Sequence, residues 1–214
     1  MKKEIQIVVP TDWSAITLRK YVDLNRDIEN YKDEPNAVTA VLMHHLCGLS
    51  AEVSQRLDVD TFMNIKRDLE NFLGSTDVPL HKFVTIDGVE YGFEPNLSKI
   101  AYGAYVDIGK YESLTIDEKW AEVMSILYRP VTKKAGDLYS IQKYNGDIDG
   151  EKWMEIPMHI HFGALSFFFH LQRDLLNDTL NSLMEEEEIP TNIKSILEKS
   201  GNLIHRLSNS QETM

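Results

Sequence analysis

The stretch Phe83-Val84-Thr85-Ile86-Asp87-Gly88-Val89-Glu90-Tyr91-Gly92-Phe93 decides the fold. Two runs of β-branched and aromatic residues flank Asp87-Gly88. Asp-Gly supplies the positive φ that a two-residue type I′ turn needs, so the spacing predicts a β-hairpin. Pro95 closes it. The residues before Pro79 follow a helical period instead, so the chain changes texture here. The fold class expected is α+β and mainly α-helical, with an N-terminal helical cluster, a central β-hairpin and short strands, and a long C-terminal helix.

On the N-terminal side, Ile5 to Val9 is β-rich and stops at Pro10, which suits an edge strand. A helix starts at Thr17-Leu18, with Leu18, Tyr21 and Val22 on one side. Pro35 restarts the chain. Val38, Val41, Leu42, His45, Leu46 and Leu49 then fall at i, i+3, i+4 and i+7, and Gly48 fits the stop. Ser50 opens a short helix. Asp60 is the expected cap of the next one, whose apolar face is Phe62, Ile65, Leu69, Phe72 and Leu73. Residues 11–75 therefore read as four helices.

On the C-terminal side, Ile100 to Ile108 carries Gly103 among aromatic and branched residues, with Gly109 just beyond it, and resists assignment. Thr115 to Tyr128 reads as a helix that buries Trp120, Val123, Met124 and Leu127, with Asp117 and Glu118 in its first turn and Pro130 ending it. Leu138 to Tyr144 alternates as a strand. Pro157 opens the longest helix, running to about Met184 with the stripe Met158, Phe162, Leu165, Phe169 and Leu176. Ile193, Ile196 and Leu197 suggest a last short helix. The expected organisation is one globular domain over residues 1–200, split into a helical part (11–75) and a mixed part (79–200), then a flexible tail over 201–214.

Composition bounds the function. The 214 residues hold 22 Lys and Arg against 34 Asp and Glu, a net charge of −12, which disfavours nucleic acid as a partner. Between Ala135 and Glu188 eleven acidic residues face three basic ones, a face that steers a basic partner or repels copies of the chain. The longest apolar-rich stretch, Met158 to Phe169, is broken by His159, His161 and Ser166 and is too short to span a bilayer, so no membrane partner is expected. Cys47 is the only cysteine, which suits a reducing cytosol.

Several groups invite a chemical reading. Asn145-Gly146-Asp147-Ile148-Asp149-Gly150 matches the opening of a calcium loop, but position twelve falls on Ile156 rather than an acid. His159 and His161 sit two apart on a helix and point to different faces. His44 and His45 share that objection, although Cys47 lies three residues after His44. Half-buried helical histidines explain both sets. A metal-dependent enzyme built on His44, His45, His159 or His161 with the loop aspartates remains the chemical alternative. No phosphate loop, nucleophile elbow or dinucleotide fingerprint is present in the sequence, and no catalytic, cofactor or metal residue is expected.

Five stretches together resemble a known group of proteins. They are Thr17-Leu18-Arg19-Lys20-Tyr21, His45-Leu46-Cys47-Gly48-Leu49-Ser50-Ala51-Glu52-Val53, Ile126-Leu127-Tyr128-Arg129-Pro130-Val131, Tyr139-Ser140-Ile141-Gln142-Lys143-Tyr144 and Met158-His159-Ile160-His161-Phe162-Gly163-Ala164-Leu165-Ser166-Phe167-Phe168. Their order resembles small tail-assembly or virion-associated proteins of tailed bacteriophages, including those infecting Bacteroidetes, over residues 15–185. The resemblance implies a non-enzymatic protein, a tail assembly chaperone or a tail or neck component. It would work by contact with other phage tail or virion proteins, in the host cytoplasm during assembly or in the virion. Such a chaperone needs an apolar groove and high net charge. The expected groove lies on the long helix, with Phe162, Phe167 and Phe168 as contacts and Glu185 and Glu186 as its charged end. A further alternative is an acidic adaptor for a basic host protein.

Overall fold

A computed structural model describes residues 7–75, 78–111, 116–168 and 170. The fold is α+β and mainly helical. Four helices come first: α1 (Leu18–Asn30), α2 (Pro35–Cys47), α3 (Ala51–Gln55) and α4 (Val59–Leu73). Each starts where the chain supplies a partner for the free N–H groups of a helix end, or a proline that has none. Thr17 Oγ1 accepts from the Lys20 N–H and Ser50 Oγ from Val53. Pro35 is the first residue of α2. Gly48, at φ 68°, ends that helix, and the Leu49 N–H reaches back to the Met43 carbonyl at 3.2 Å.

The cap of α4 is Asp58 rather than Asp60. Its carboxylate takes both the Thr61 N–H (2.9 Å) and the Thr61 hydroxyl (2.7 Å), which leaves Asp60 in the first turn, near the positive end of the helix dipole. The strand expected from Ile5 to Val9 does not form at residues 7–9, and Ile5 and Gln6 lie outside the described residues. Ile7 and Val9 pack against the core without pairing.

The hairpin forms as expected, with β1 (Phe83–Ile86) and β2 (Val89–Phe93) in the register Ile86↔Val89 and Asp87 and Gly88 both at positive φ. After α5 (Tyr102–Ile108) come α6 (Trp120–Leu127), β3 (Tyr128–Ala135) and β4 (Leu138–Ile141). Among the described residues the four strands make one antiparallel sheet in the order β1-β2-β3-β4.

Two boundaries differ from expectation here. The helix starts at Trp120 because Asp117 Oδ1 takes the N–H groups of Lys119 and Trp120 in a turn of its own. It ends at Leu127 because Tyr128 already pairs with Phe93 and the Glu94 N–H binds the Leu127 carbonyl at 2.8 Å. Pro130 therefore sits inside a central strand, where its missing N–H would orphan the Gln142 carbonyl. Arg129 Nε donates to that carbonyl instead, at 2.8 Å, while Pro130 accepts from the Gln142 N–H at 2.8 Å. A bulge between Val131 and Lys133 turns β4 back over β2, where the Tyr139 hydroxyl donates to the Phe93 carbonyl at 2.7 Å. That strand stops at Ile141, short of the expected Tyr144.

A short helix, α7 (Glu151–Met154), buries Trp153 in a stretch to which the sequence pattern assigned no element. Residues 158–168 are helical, and we label them α8. The rest of the expected long helix, the helix at Ile193 to Leu197 and the tail over 201–214 lie outside the described residues. An isolated bridge, Thr17↔Pro157, ties the start of α8 to the start of α1, with Met158 N–H to Ile16 O at 2.7 Å. On its other side α8 meets the linker that leads to the hairpin. A Cβ at Gly163 would lie 2.5 Å from the Pro79 carbonyl oxygen, so only glycine lets the two backbones meet. One apolar cluster takes residues from both halves, among them Leu18, Met43, Leu69, Trp120, Tyr128 and Met158.

Candidate contact surface

Residues 100–108 resisted assignment by sequence and turn out to carry the most exposed aromatic side chains of the described residues. Ala104 is the inward residue of α5 and is fully buried. Tyr102, Tyr105 and Val106 lie at i, i+3 and i+4, so they share a face. That face points to solvent: Tyr102 is 81% exposed, Tyr105 67% and Val106 40%. Among the described residues the next exposed aromatic is Tyr31, just after α1, at 46%, while Leu138 on β4 and Val59 and Met63 on α4 offer no ring.

A polar chain beneath α5 anchors it. The Tyr144 ring lies under the helix, with its Cε1 3.4 Å from where a Gly103 Cβ would stand. The Tyr144 hydroxyl donates to Asp107 Oδ2, and Lys110 Nζ donates to Asp107 Oδ1 at 2.5 Å. These two donors hold the Asp107 carboxyl below its usual range, Lys110 more than Tyr144. Burial first, then the bond to Asp107, raises the Tyr144 phenol to about 12.

The guanidinium of Arg129 stands 5.9 Å from the Tyr144 ring centre. It is buried, and it donates to Gln142 O (2.8 Å), to Ile126 O (2.9 Å) and to Glu94 Oε2. Glu94 is equally enclosed, with side-chain exposures of 11% for Arg129 and 10% for Glu94. A buried pair of this kind costs much when one partner is removed, because the other charge is then stranded. The sheet, the end of α6 and α5 thus share one polar network with an apolar face above it.

The residues singled out by sequence lie elsewhere. Phe162 is 6% exposed and sits in the core, edge-on to Trp13 (4.9 Å) and Tyr21 (5.6 Å). Phe167 and Phe168 are half-buried over the end of β2, with ring centres 5.3 and 6.3 Å from Phe93. Glu185 and Glu186 lie outside the described residues.

His44 Nδ1 bonds the Leu49 carbonyl (3.0 Å) and His45 Nε2 bonds Asp27 (2.7 Å). Burial raises the Cys47 thiol. His161 is fully buried and donates from Nε2 to Ile156 O at 3.2 Å, while its Nδ1 has no hydrogen-bond partner among the described residues. His159 faces His81. In the loop, Asn145 Oδ1 caps the Asp147 N–H (3.1 Å) and Asp149 pairs with Lys152 (3.3 Å). Among the described residues no three His, Cys, Asp or Glu side chains converge as metal ligands, and no helix is long and apolar enough to cross a membrane.

A cleft of about 350 Å³ lies between α1, α6 and α7. Its walls are joined by ion pairs, Arg19 to Glu151 and Glu155 and Arg26 to Glu118.

The spacing of Tyr102, Tyr105 and Val106 was visible in the sequence, but two glycines hid the helix and nothing marked the stripe as outward. No family model, no curated protein and no solved structure matches this chain.

Proposed function

We propose that this protein is a non-enzymatic bacteriophage assembly protein, a tail assembly chaperone or a tail or neck component, and that α5 is the face it offers to its partners. The observation that carries the contact reading is the outward Tyr102–Tyr105–Val106 stripe on a helix anchored from below. Tyrosines on a rigid support supply large contact area at little entropic cost, which is why they dominate binding hot spots. A net charge of −12 keeps such a chain soluble while the stripe stays exposed. The phage assignment rests on the five stretches named above.

The partners on this reading are tail or virion proteins, met in the host cytoplasm during assembly. Mass spectrometry of purified virions beside infected-cell lysate tests it. Presence in both marks a permanent component, and presence in lysate alone marks a chaperone. Absence from phage-producing cells contradicts the proposal.

A further inference from the structure

The loop between Tyr144, the anchor of α5, and α7 carries a reactive pair that the contact reading leaves unused. Asn145-Gly146 is the only Asn-Gly in the sequence. Both residues are exposed, and Gly146 stands at φ 82° with nothing within 4 Å of where a Cβ would be. No side chain of its own crowds the Gly146 nitrogen. Asn145 Oδ1 accepts from the Asp147 N–H at 3.1 Å. That bond folds the side-chain amide over the Gly146 peptide, and the ring it closes contains both the Asn145 Cγ and the Gly146 nitrogen. It also sets a donor on the oxygen that gains charge when Cγ is attacked, as in an oxyanion hole. Asn96 offers an internal comparison. Its Oδ1 accepts from the Ser98 N–H, also at 3.1 Å, but the next residue is Leu97, whose side chain crowds the attacking nitrogen.

We propose that Asn145-Gly146 is a self-modification site, which converts the asparagine to aspartyl and isoaspartyl forms and thereby loosens α5. The Gly146 nitrogen gives its proton to water and attacks Cγ. A C–N bond forms, the Cγ–Nδ2 bond breaks, ammonia leaves, and the side chain closes into a succinimide. Water then opens the ring. Cleavage at Cγ leaves an aspartyl residue. Cleavage at the main-chain carbonyl leaves an isoaspartyl residue, whose backbone runs through Cβ and Cγ. In sum a water is consumed and an ammonia released, with no change of oxidation state. The isoaspartyl form adds a methylene to a connection held at both ends. On one side Tyr144 bonds Asp107 and lies beneath Gly103. On the other, Gly150 packs so closely on α6 that a Cβ there would meet the Glu122 nitrogen at 3.0 Å. A hydroxyl bond gives more readily than packed backbone, so the extra length falls on the Tyr144 anchor.

The test incubates the full chain at mildly alkaline pH and follows its tryptic peptides by mass spectrometry. The peptide over 144–152 is expected to gain OH in place of NH2, to split into two chromatographic forms, and to convert about tenfold faster than the peptide holding Asn96. Gly146→Ala should slow it by about the same factor, for the same steric reason. Equal rates at the two asparagines, or in wild type and Gly146→Ala, overturn the site. A synthetic peptide of residues 144–152 separates the fold from the dipeptide. Conversion in the folded chain no slower than in the peptide is expected, and a slower rate overturns the role given to the Asp147 N–H. Hydrogen exchange over residues 102–108 then compares aged with fresh chain. A several-fold rise is expected in wild type and none in Asn145→Gln. Unchanged exchange in the converted chain overturns the link to α5.

Discussion

Helices α5 and α8 carry the same kind of residue and use it in opposite ways. Both place aromatic side chains at helical spacing. On α8, Phe162 goes inward to Trp13 and Tyr21, and Gly163 presses the helix onto the Pro79 backbone. On α5, Tyr102 and Tyr105 go outward, because the inner face is taken by Ala104 and by the hydroxyl chain from Tyr144 to Asp107. An aromatic stripe alone therefore does not say which way it faces. The small residue opposite the stripe and the polar partner beneath it do.

Substitutions should separate the two helices. Phe162→Ala should cost about 4 kcal/mol in urea denaturation, since it empties a site in the core. A loss near zero would move Phe162 to the surface and erase the contrast. Glu94→Gln should cost about 3 kcal/mol, because the Arg129 charge loses its buried partner, and it should loosen α5 by hydrogen exchange. Unchanged exchange over residues 102–108 would disconnect the network from the helix above it.

The third expected effect is on pH dependence. Burial pushes the His161 pKa down to about 4 from an ordinary 6.5, so the folded state binds its proton less readily than the unfolded chain. The stability this group contributes is complete above pH 6.5 and is lost as pH falls toward 4, by about 3 kcal/mol at the limit. Chemical denaturation across that interval should show the fall, and His161→Gln should flatten it. The smallest effect belongs to α5. Tyr102→Ser with Tyr105→Ser should change stability by only about 0.5 kcal/mol or less while removing partner capture.

Much of this molecule was legible from local chemistry. Asp87-Gly88 fixed the hairpin because few residue pairs tolerate that turn, and Thr17, Pro35, Gly48 and Ser50 marked helix ends for equally local reasons. The failures came where a distant contact overrode a local preference. Tyr128 leaves its helix because Phe93 and Glu94 pair with the chain there, and Pro130 survives in a strand because Arg129 replaces its missing donor. Asp60 was the expected cap of α4, but Asp58 takes that place by bonding both the N–H and the hydroxyl of Thr61. Of the expected contacts, Phe162 is buried in the core because exposure is not written in spacing, and Phe167 and Phe168 are half-buried. The tyrosines of α5 were missed because Gly103 and Gly109 suggested a break. Gly103 instead lies against the Tyr144 ring.

The most direct test of the proposed phage role places a photo-crosslinking amino acid at Tyr102 and, separately, at Phe162 in phage-producing cells. Crosslinks from position 102 to a tail or virion protein, with none from position 162, are the predicted result. Crosslinks confined to position 162, or none from either position, would contradict the assignment of α5 as the working surface.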